Sequence, residues 1–381
     1  MQKVIRFKIL LISMILILAS STALAEIGVE KEIRGYLIGT YENGRVLETY
    51  KPGEIRPIAS LSKLMTYYVL MDAVENKEVS LEDEIIVRDD FPGKIGSTMN
   101  LEAKDHLTLD KVVQGIMIPS ANDGCLLIDE YLCGSEEEFV KKMNLKAKEL
   151  KLKTAVFYNS TGLTEDGQYN KMSMEDLFEL TRQLIRNHPE ILEYSQMTEM
   201  TYKDKTYVNT NPLIGKRNDI IGLKTGATPR AGSCLVSIQT LEHSNDYVIS
   251  ITMGAFDKWK RAEVIEKILH WMDQHYTNYE ITNKHHPIDS EIGNLKLPEN
   301  INAYAKESLS LYDKKNIQKQ IQYSIDDLDL NSEPLKYKQV IGNIRIVEND
   351  REVKTIPIEL RYSPEIENSI AWFMKQIQTQ G

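Results

Sequence analysis

The sequence predicts an α/β fold: one antiparallel sheet built from strands at the two ends of a long N-terminal unit, flanked by helices, with a helical subdomain between its halves and a small all-β domain after it. Three observations predict it. Residues 36–41 and 45–50 flank Glu42-Asn43-Gly44, and Asn-Gly readily adopts the positive-φ turn of a hairpin. Residues 59–74, 109–118, 124–131, 137–150 and 174–186 carry apolar side chains at helical spacing. From Asp219 β-branched runs return, at 233–241 and 247–253, separated by polar residues 242–246 and followed by a helix over 260–275. Strands at both ends with helices between them imply one sheet closed by the chain's two ends.

The chain's 381 residues exceed one typical domain. Residues 1–25 read as a cleaved leader. Lys3, Arg6 and Lys8 precede the apolar stretch 9–19, and Ala23-Leu24-Ala25 offers small residues for cleavage. That stretch falls short of the roughly 20 residues a membrane span needs. The main unit then occupies 26–278, a polar linker with His285-His286-Pro287 occupies 279–300, and strand-like runs fill 301–360, with Asn349-Asp350 as a turn. His285 and His286 lack a second ligand pair at metal spacing. Over 361–381, Ile366, Ile370, Phe373 and Ile377 share one helix face. That face suits either peripheral membrane contact through 366–377 or docking on the β domain.

The net charge of -10 argues against a nucleic-acid partner. Cys125, Cys133 and Cys234 are an odd set, and Cys125 and Cys133 lie about 12 Å apart along one predicted helix, too far to bridge. They read as buried, inert thiols.

Three short motifs carry chemistry. In Ser60-Leu61-Ser62-Lys63, serine and lysine share a helix face. Ser60 falls in the first turn, where free N–H groups favour developing negative charge. Lys63 is the one charged residue within 61–71, and a desolvated lysine loses basicity and can serve as a base at moderate pH. Ser120-Ala121-Asn122 lies between two predicted helices, where the hydroxyl can relay protons and the amide can hold a substrate amide. Lys224-Thr225-Gly226 opens the strand region, with lysine and hydroxyl for a carboxylate and a glycine where a peptide backbone can approach the strand. Each alone also reads as ordinary structure: a snorkelling lysine, a helix cap, a chance tripeptide. Their order and placement make the set specific.

At these residues the chain resembles the low-molecular-mass penicillin-binding proteins, the serine-type D-alanyl-D-alanine carboxypeptidases. Pro57–Thr66, Ile118–Asp123, Asn209-Thr210-Asn211 and Gly222–Gly226 with Ala231-Gly232 carry the resemblance. It covers residues 30–275 well and the β domain more loosely. It implies a β-lactamase/transpeptidase-like fold and removal of the terminal D-Ala from peptidoglycan stem pentapeptides during cell-wall maturation. It implies Ser60 as nucleophile, Lys63 as its base, and Ser120 with Lys224 passing a proton to the leaving amine. Asn122 would hold the peptide, Thr225 and Lys224 the terminal carboxylate, and Gly226 would lie beside the substrate. Arg261 would support carboxylate recognition, and the Ser60 and Ala227 N–H groups would form the oxyanion hole. β-Lactams would be inhibitors, the enzyme would act outside the cytoplasmic membrane, and no cofactor or metal is implied. Gly124 and Ala227 are small departures from the family pattern.

Other readings stay open on the motifs. A class A β-lactamase usually has Ser-Asp-Asn and a glutamate for the deacylating water; here the motif is Ser-Ala-Asn, and Glu175 and Glu179 read as exposed helix residues. An endopeptidase or transpeptidase would share the nucleophile. A non-catalytic wall scaffold would not need the full motif set.

Overall fold

The computed structural model describes residues 27–91, 95–242, 244, 246–288, 301–315, 320–325, 337–348 and 351–362. The leader at 1–25, the turn at Asn349-Asp350 and the C-terminal helix beyond 362 lie outside these residues.

The chain opens with β1 (Gly35–Thr40) and β2 (Val46–Tyr50), then the short strand β3 (Arg56–Pro57), a 3-10 turn (Ala59–Ser62) and α1 (Lys63–Glu75). The helical region adds β4 (Glu84–Ile86), β5 (His106–Thr108), α2 (Leu109–Met117), α3 (Asn122–Cys133), α4 (Glu136–Glu149), β6 (Lys171–Met172), α5 (Met174–Asn187) and α6 (Ile191–Gln196). A small hairpin, β7 (Glu199–Tyr202) and β8 (Lys205–Val208), leads to the long strands β9 (Ile220–Thr228), β10 (Gly232–Thr240) and β11 (Tyr247–Ala255), and then to α7 (Lys258–His275).

The five-stranded sheet runs β2-β1-β11-β10-β9, antiparallel throughout. The N-terminal hairpin joins the C-terminal strands through Gly35 opposite Met253 and Thr40 opposite Val248. β9 ends this order, so one of its edges is free of strand partners. Helices cover both faces. On one, α5 lies so close to β1 that a Cβ on Gly39 would sit 2.6 Å from the Phe178 ring. On the other, Val264, Ile268 and Met272 of α7 pack against Tyr36, Ile38 and Val248. Local sequence starts most of these helices: Thr108, Ser135, Ser173 and Asp257 each accept first-turn N–H groups.

Differences from the sequence reading are local. The helix expected from residue 59 is a 3-10 turn up to Ser62, because Ala59 takes φ 49° and Ser62 Oγ bonds back to the Ala59 carbonyl at 2.7 Å. The six-residue α6 and the β7–β8 hairpin were not expected; they are too short for periodicity to register.

Past α7, β12 (Tyr276–Thr282) runs into the stretch expected as a linker. It precedes β13 (Ile301–Ala305) and pairs with β14 (Leu309–Lys314). The strands β15 (Gln320–Ile325), β16 (Val340–Glu348) and β17 (Arg351–Tyr362) complete a second sheet ordered β13-β17-β16-β15. Ile341, Ile344, Ile346, Ile356, Ile358 and Leu360 give it a core of its own. His285 and His286 are exposed.

Charged contacts join this part to the main unit. Arg45 Nη1 meets Asp313 at 2.8 Å, and Lys314 Nζ meets the buried Glu48 at 2.8 Å. Tyr276 Oη donates to the same Glu48 carboxylate at 2.7 Å.

Candidate active site

The free edge of β9, the 3-10 turn, the start of α3 and the turn 159–162 converge on Ser60. α1 behind it is buried almost all round, from Lys63 to Met71, which is why its run of apolar residues shows no helical stripe. Lys63 is therefore carried into the core, fully buried. Its Nζ has three acceptors: Ser60 Oγ at 3.1 Å, Asn122 Oδ1 at 2.7 Å and the Thr161 carbonyl at 2.8 Å. Burial pushes its amine below the ordinary lysine value, with Cys125 and Asp123 pulling the other way. The neutral amine would have a lone pair for the Ser60 proton along that 3.1 Å contact.

Ser120 and Asn122 flank Ala121, the N-cap of α3, which has no side-chain cap bond. Capping is thus not the work of either residue. Ser120 takes φ 65°, and its buried Oγ has no hydrogen-bond partner among the described residues. A strained backbone presenting an unsatisfied hydroxyl is characteristic of a functional position. Asn122 spends Oδ1 on Lys63 and Nδ2 on the Ile95 carbonyl at 2.7 Å, while its N–H donates to Ser97 O. Asp123 clamps the next stretch by accepting from Met99 and Leu101 N–H.

On β9, Lys224 is buried, and burial followed by repulsion from Lys63 drives its amine well below the ordinary value. Thr225 Oγ1 donates to Thr210 Oγ1 at 2.7 Å. Arg261, from α7 behind the sheet, donates to the Thr210 carbonyl at 3.1 Å and the Cys234 carbonyl at 3.5 Å. Burial lowers this guanidinium too, and its Nε has no hydrogen-bond partner among the described residues. Among the described residues, Lys63, Lys224 and Arg261 form no ion pair. Gly226 makes room for the 3-10 turn: a Cβ there would lie 2.9 Å from the Ile58 carbonyl and 3.1 Å from Leu61 N. Ala227, next along the strand, is exposed.

The structure adds a turn the sequence reading had left out, Asn159-Ser160-Thr161-Gly162. Thr161 supplies the third acceptor for Lys63, and the Ser160 carbonyl takes Thr66 Oγ1 at 2.7 Å. Gly162 has φ 86°, and a Cβ would fall 1.9 Å from the Ala59 carbonyl, so no other residue fits there. Asn170 ties this turn to the 3-10 turn by donating to Ser62 Oγ at 2.9 Å and to the Asn159 carbonyl at 2.8 Å. The hint in sequence was a run of turn formers ending in glycine. Thr210 was noted only for family likeness; its loop is set by Asn209 and Asn211, whose side-chain oxygens accept N–H groups two residues on.

The remaining candidates lie apart. Glu175 is exposed, and Glu179 is held by Arg182 at 2.9 Å and Gln183 at 2.7 Å. Cys125 is buried, its thiol pushed up to about 12 by burial, and all three cysteines are free. Asp72, Glu75 and His188 gather at the opposite end of α1 from Lys63, and Lys146 Nζ already sits 2.7 Å from Asp72.

Comparison with known proteins matches residues 23–257 to the family model of peptidase S11, D-alanyl-D-alanine carboxypeptidase. D-alanyl-D-alanine carboxypeptidase DacF of Bacillus subtilis is 30% identical over 322 residues, covering 82% of this chain and 80% of that protein. Penicillin-binding protein 6B of Escherichia coli superposes with a TM-score of 0.66 at 26% identity, over 86% of this chain and 94% of its own. Penicillin-binding protein D2 of Listeria monocytogenes, in its ampicillin-bound form, gives 0.57 at 30% identity, over 63% of this chain and 96% of its own.

Proposed function

The chain belongs to the S11 peptidase family of D-alanyl-D-alanine carboxypeptidases, and from that premise we propose that Ser60 is the nucleophile with which it removes the terminal D-Ala of peptidoglycan stem peptides. The observation that carries this assignment is Lys63 Nζ, fully buried, with a weakened hold on its proton, 3.1 Å from Ser60 Oγ.

In this reading Lys63 takes the Ser60 proton as Oγ attacks the carbonyl of the penultimate D-Ala. The resulting oxyanion is held by the N–H groups of Ser60 and Ala227. Collapse breaks the peptide C–N bond, and the proton passes through Ser120 Oγ and Lys224 to the leaving amine. Water then attacks the acyl-enzyme, gives its proton to the same relay and frees Ser60. The unpartnered Ser120 hydroxyl and the lowered Lys224 amine suit that relay. Asn122 holds the peptide and, through Oδ1, keeps Lys63 aimed.

The terminal carboxylate completes the charge balance. Lys224 and Arg261 are buried cations without a counter-ion among the described residues, and Thr225 offers a hydroxyl beside them. The substrate's carboxylate would supply that counter-charge. Gly226 serves by letting β9 seat against the turn that carries Ser60. No metal or cofactor enters any step.

Two further parts of the proposal concern place. Residues 1–25 direct export, and the enzyme works on the outer side of the cytoplasmic membrane, with 366–377 giving peripheral contact. Fractionation of cells expressing the full chain and a chain ending at 362 tests both.

The decisive test is intact mass of the mature protein after incubation with a penicillin, alongside D-Ala release from a pentapeptide. A lasting adduct on Ser60, missing in Ser60→Ala, supports the reading. An intact antibiotic and no adduct would overturn it, and a destroyed antibiotic would favour the β-lactamase alternative.

A further inference from the structure

The hairpin beyond Ala227 carries a group that the catalytic scheme leaves unused. β9 ends at Thr228 and β10 starts at Gly232, so Arg230 sits at the tip of a tight turn. The turn is fixed: Ala231 N–H donates to Thr228 Oγ1 at 3.1 Å, and Arg34 Nη1 donates to the Arg230 carbonyl at 2.6 Å. The Arg230 guanidinium is exposed and lies 4.6 Å over the half-buried Tyr169 ring. Tyr169 directly precedes Asn170, the residue that ties the Thr161 turn to Ser62. Arg230 and Tyr169 therefore bridge the two walls of the cleft at the end of β9, and the ring holds the guanidinium plane in place. Among the described residues no carboxylate pairs with it, in a chain whose net charge is -10.

The direction of the substrate gives this cation a meaning. A peptide laid against the free edge of β9, with its terminal carboxylate at Lys224 and Thr225 and its scissile carbonyl at Ala227, runs on past Thr228. One residue back from the scissile carbonyl is about 3.4 Å further along the strand, and a four-carbon side chain reaches about 6 Å beyond its Cα. That side chain belongs to the third residue of the stem, and it ends in the neighbourhood of Arg230.

We propose that Arg230, steadied over Tyr169, determines specificity at the third stem residue, favouring a side chain that ends in a carboxylate-bearing amino acid group, as in diaminopimelate, over one that ends in a bare ammonium, as in lysine. The inference rests on the carboxypeptidase reading above. The guanidinium donates a paired hydrogen bond to the carboxylate and repels a lone ammonium.

The test is kcat/KM for D-Ala release from three pentapeptides that differ at the third residue: diaminopimelate, lysine and Nε-acetyl-lysine. The wild type should prefer diaminopimelate to lysine by about two- to fivefold, the range of an exposed ion pair. Arg230→Ala should lower turnover of the first and raise that of the second, bringing the ratio near one, and Arg230→Glu should invert it. The penicillin acylation rate of each variant checks that the site is folded. A wild-type ratio near one would overturn the proposal, as would Arg230→Ala slowing all three peptides by one factor, which is what a purely structural bridge would do. Failure to release D-Ala even from the neutral acetylated peptide would instead bring down the carboxypeptidase reading and this inference with it.

Discussion

Two sets of charges in the molecule are satisfied differently. Where the C-terminal strands meet the main unit, Arg45 has Asp313 and Glu48 has Lys314 and Tyr276, all within 2.8 Å. Around Ser60, Lys63, Lys224 and Arg261 are buried with only neutral acceptors. Paired charges hold two parts of a fold in register. Cations buried without counter-ions cost stability, and that cost is repaid when an anionic ligand binds or a proton leaves. The contrast separates structural charge from working charge within one chain.

The contrast can be broken at several points. The largest effect should come from Ser60→Ala or Lys63→Ala, which should lower D-Ala release by on the order of 10^4-fold or more, with the fold retained by circular dichroism. Lys224→Met should cut turnover by about 10^2–10^3-fold yet raise the melting temperature at neutral pH, since it removes an uncompensated buried cation. The sign follows from linkage: the lowered amine binds fewer protons folded than unfolded, so its penalty persists until pH approaches the ordinary lysine value. At the junction the opposite pattern is expected. Glu48→Ala should cost about 1–3 kcal/mol in denaturant melts, because it takes the carboxylate acceptor from the buried Tyr276 hydroxyl, while D-Ala release per folded molecule stays as it was. The smallest and finest test is pH. The penicillin acylation rate should rise as Lys63 loses its proton and level off below the ordinary lysine value; a profile that rises only near that ordinary value would mean Lys63 is not the base.

Much of this was legible before any coordinates. Lys63 stood out because the run 61–71 holds no other charge, and the same apolar residues bury it. The hairpin at Asn43-Gly44 and the strands from residue 220 announced a sheet closed by the two ends of the chain. What the sequence hid was contact at a distance. Thr161 acts through a carbonyl, which no residue type advertises. Gly226 reads as space for a ligand, yet its missing side chain is space for Ile58 and Leu61. Arg261 reaches the site through Thr210, which lies fifteen residues before Thr225, its hydrogen-bond partner on β9. Periodicity fixes helices, but partners brought together by a tertiary fold have no period.

The sheet's connectivity also sets a clock. β1 lies between β2 and β11, and its partner Met253 is more than two hundred residues after Gly35. At a synthesis rate of about 5–20 residues per second, β1 and β2 wait roughly 10–40 s before β11 exists to complete the sheet. For that interval the nucleophile turn has no β9 to seat against, so the reactive centre is among the last features of the main unit to form. A chain that matures in this order stays catalytically inert until nearly all of the main unit has been made.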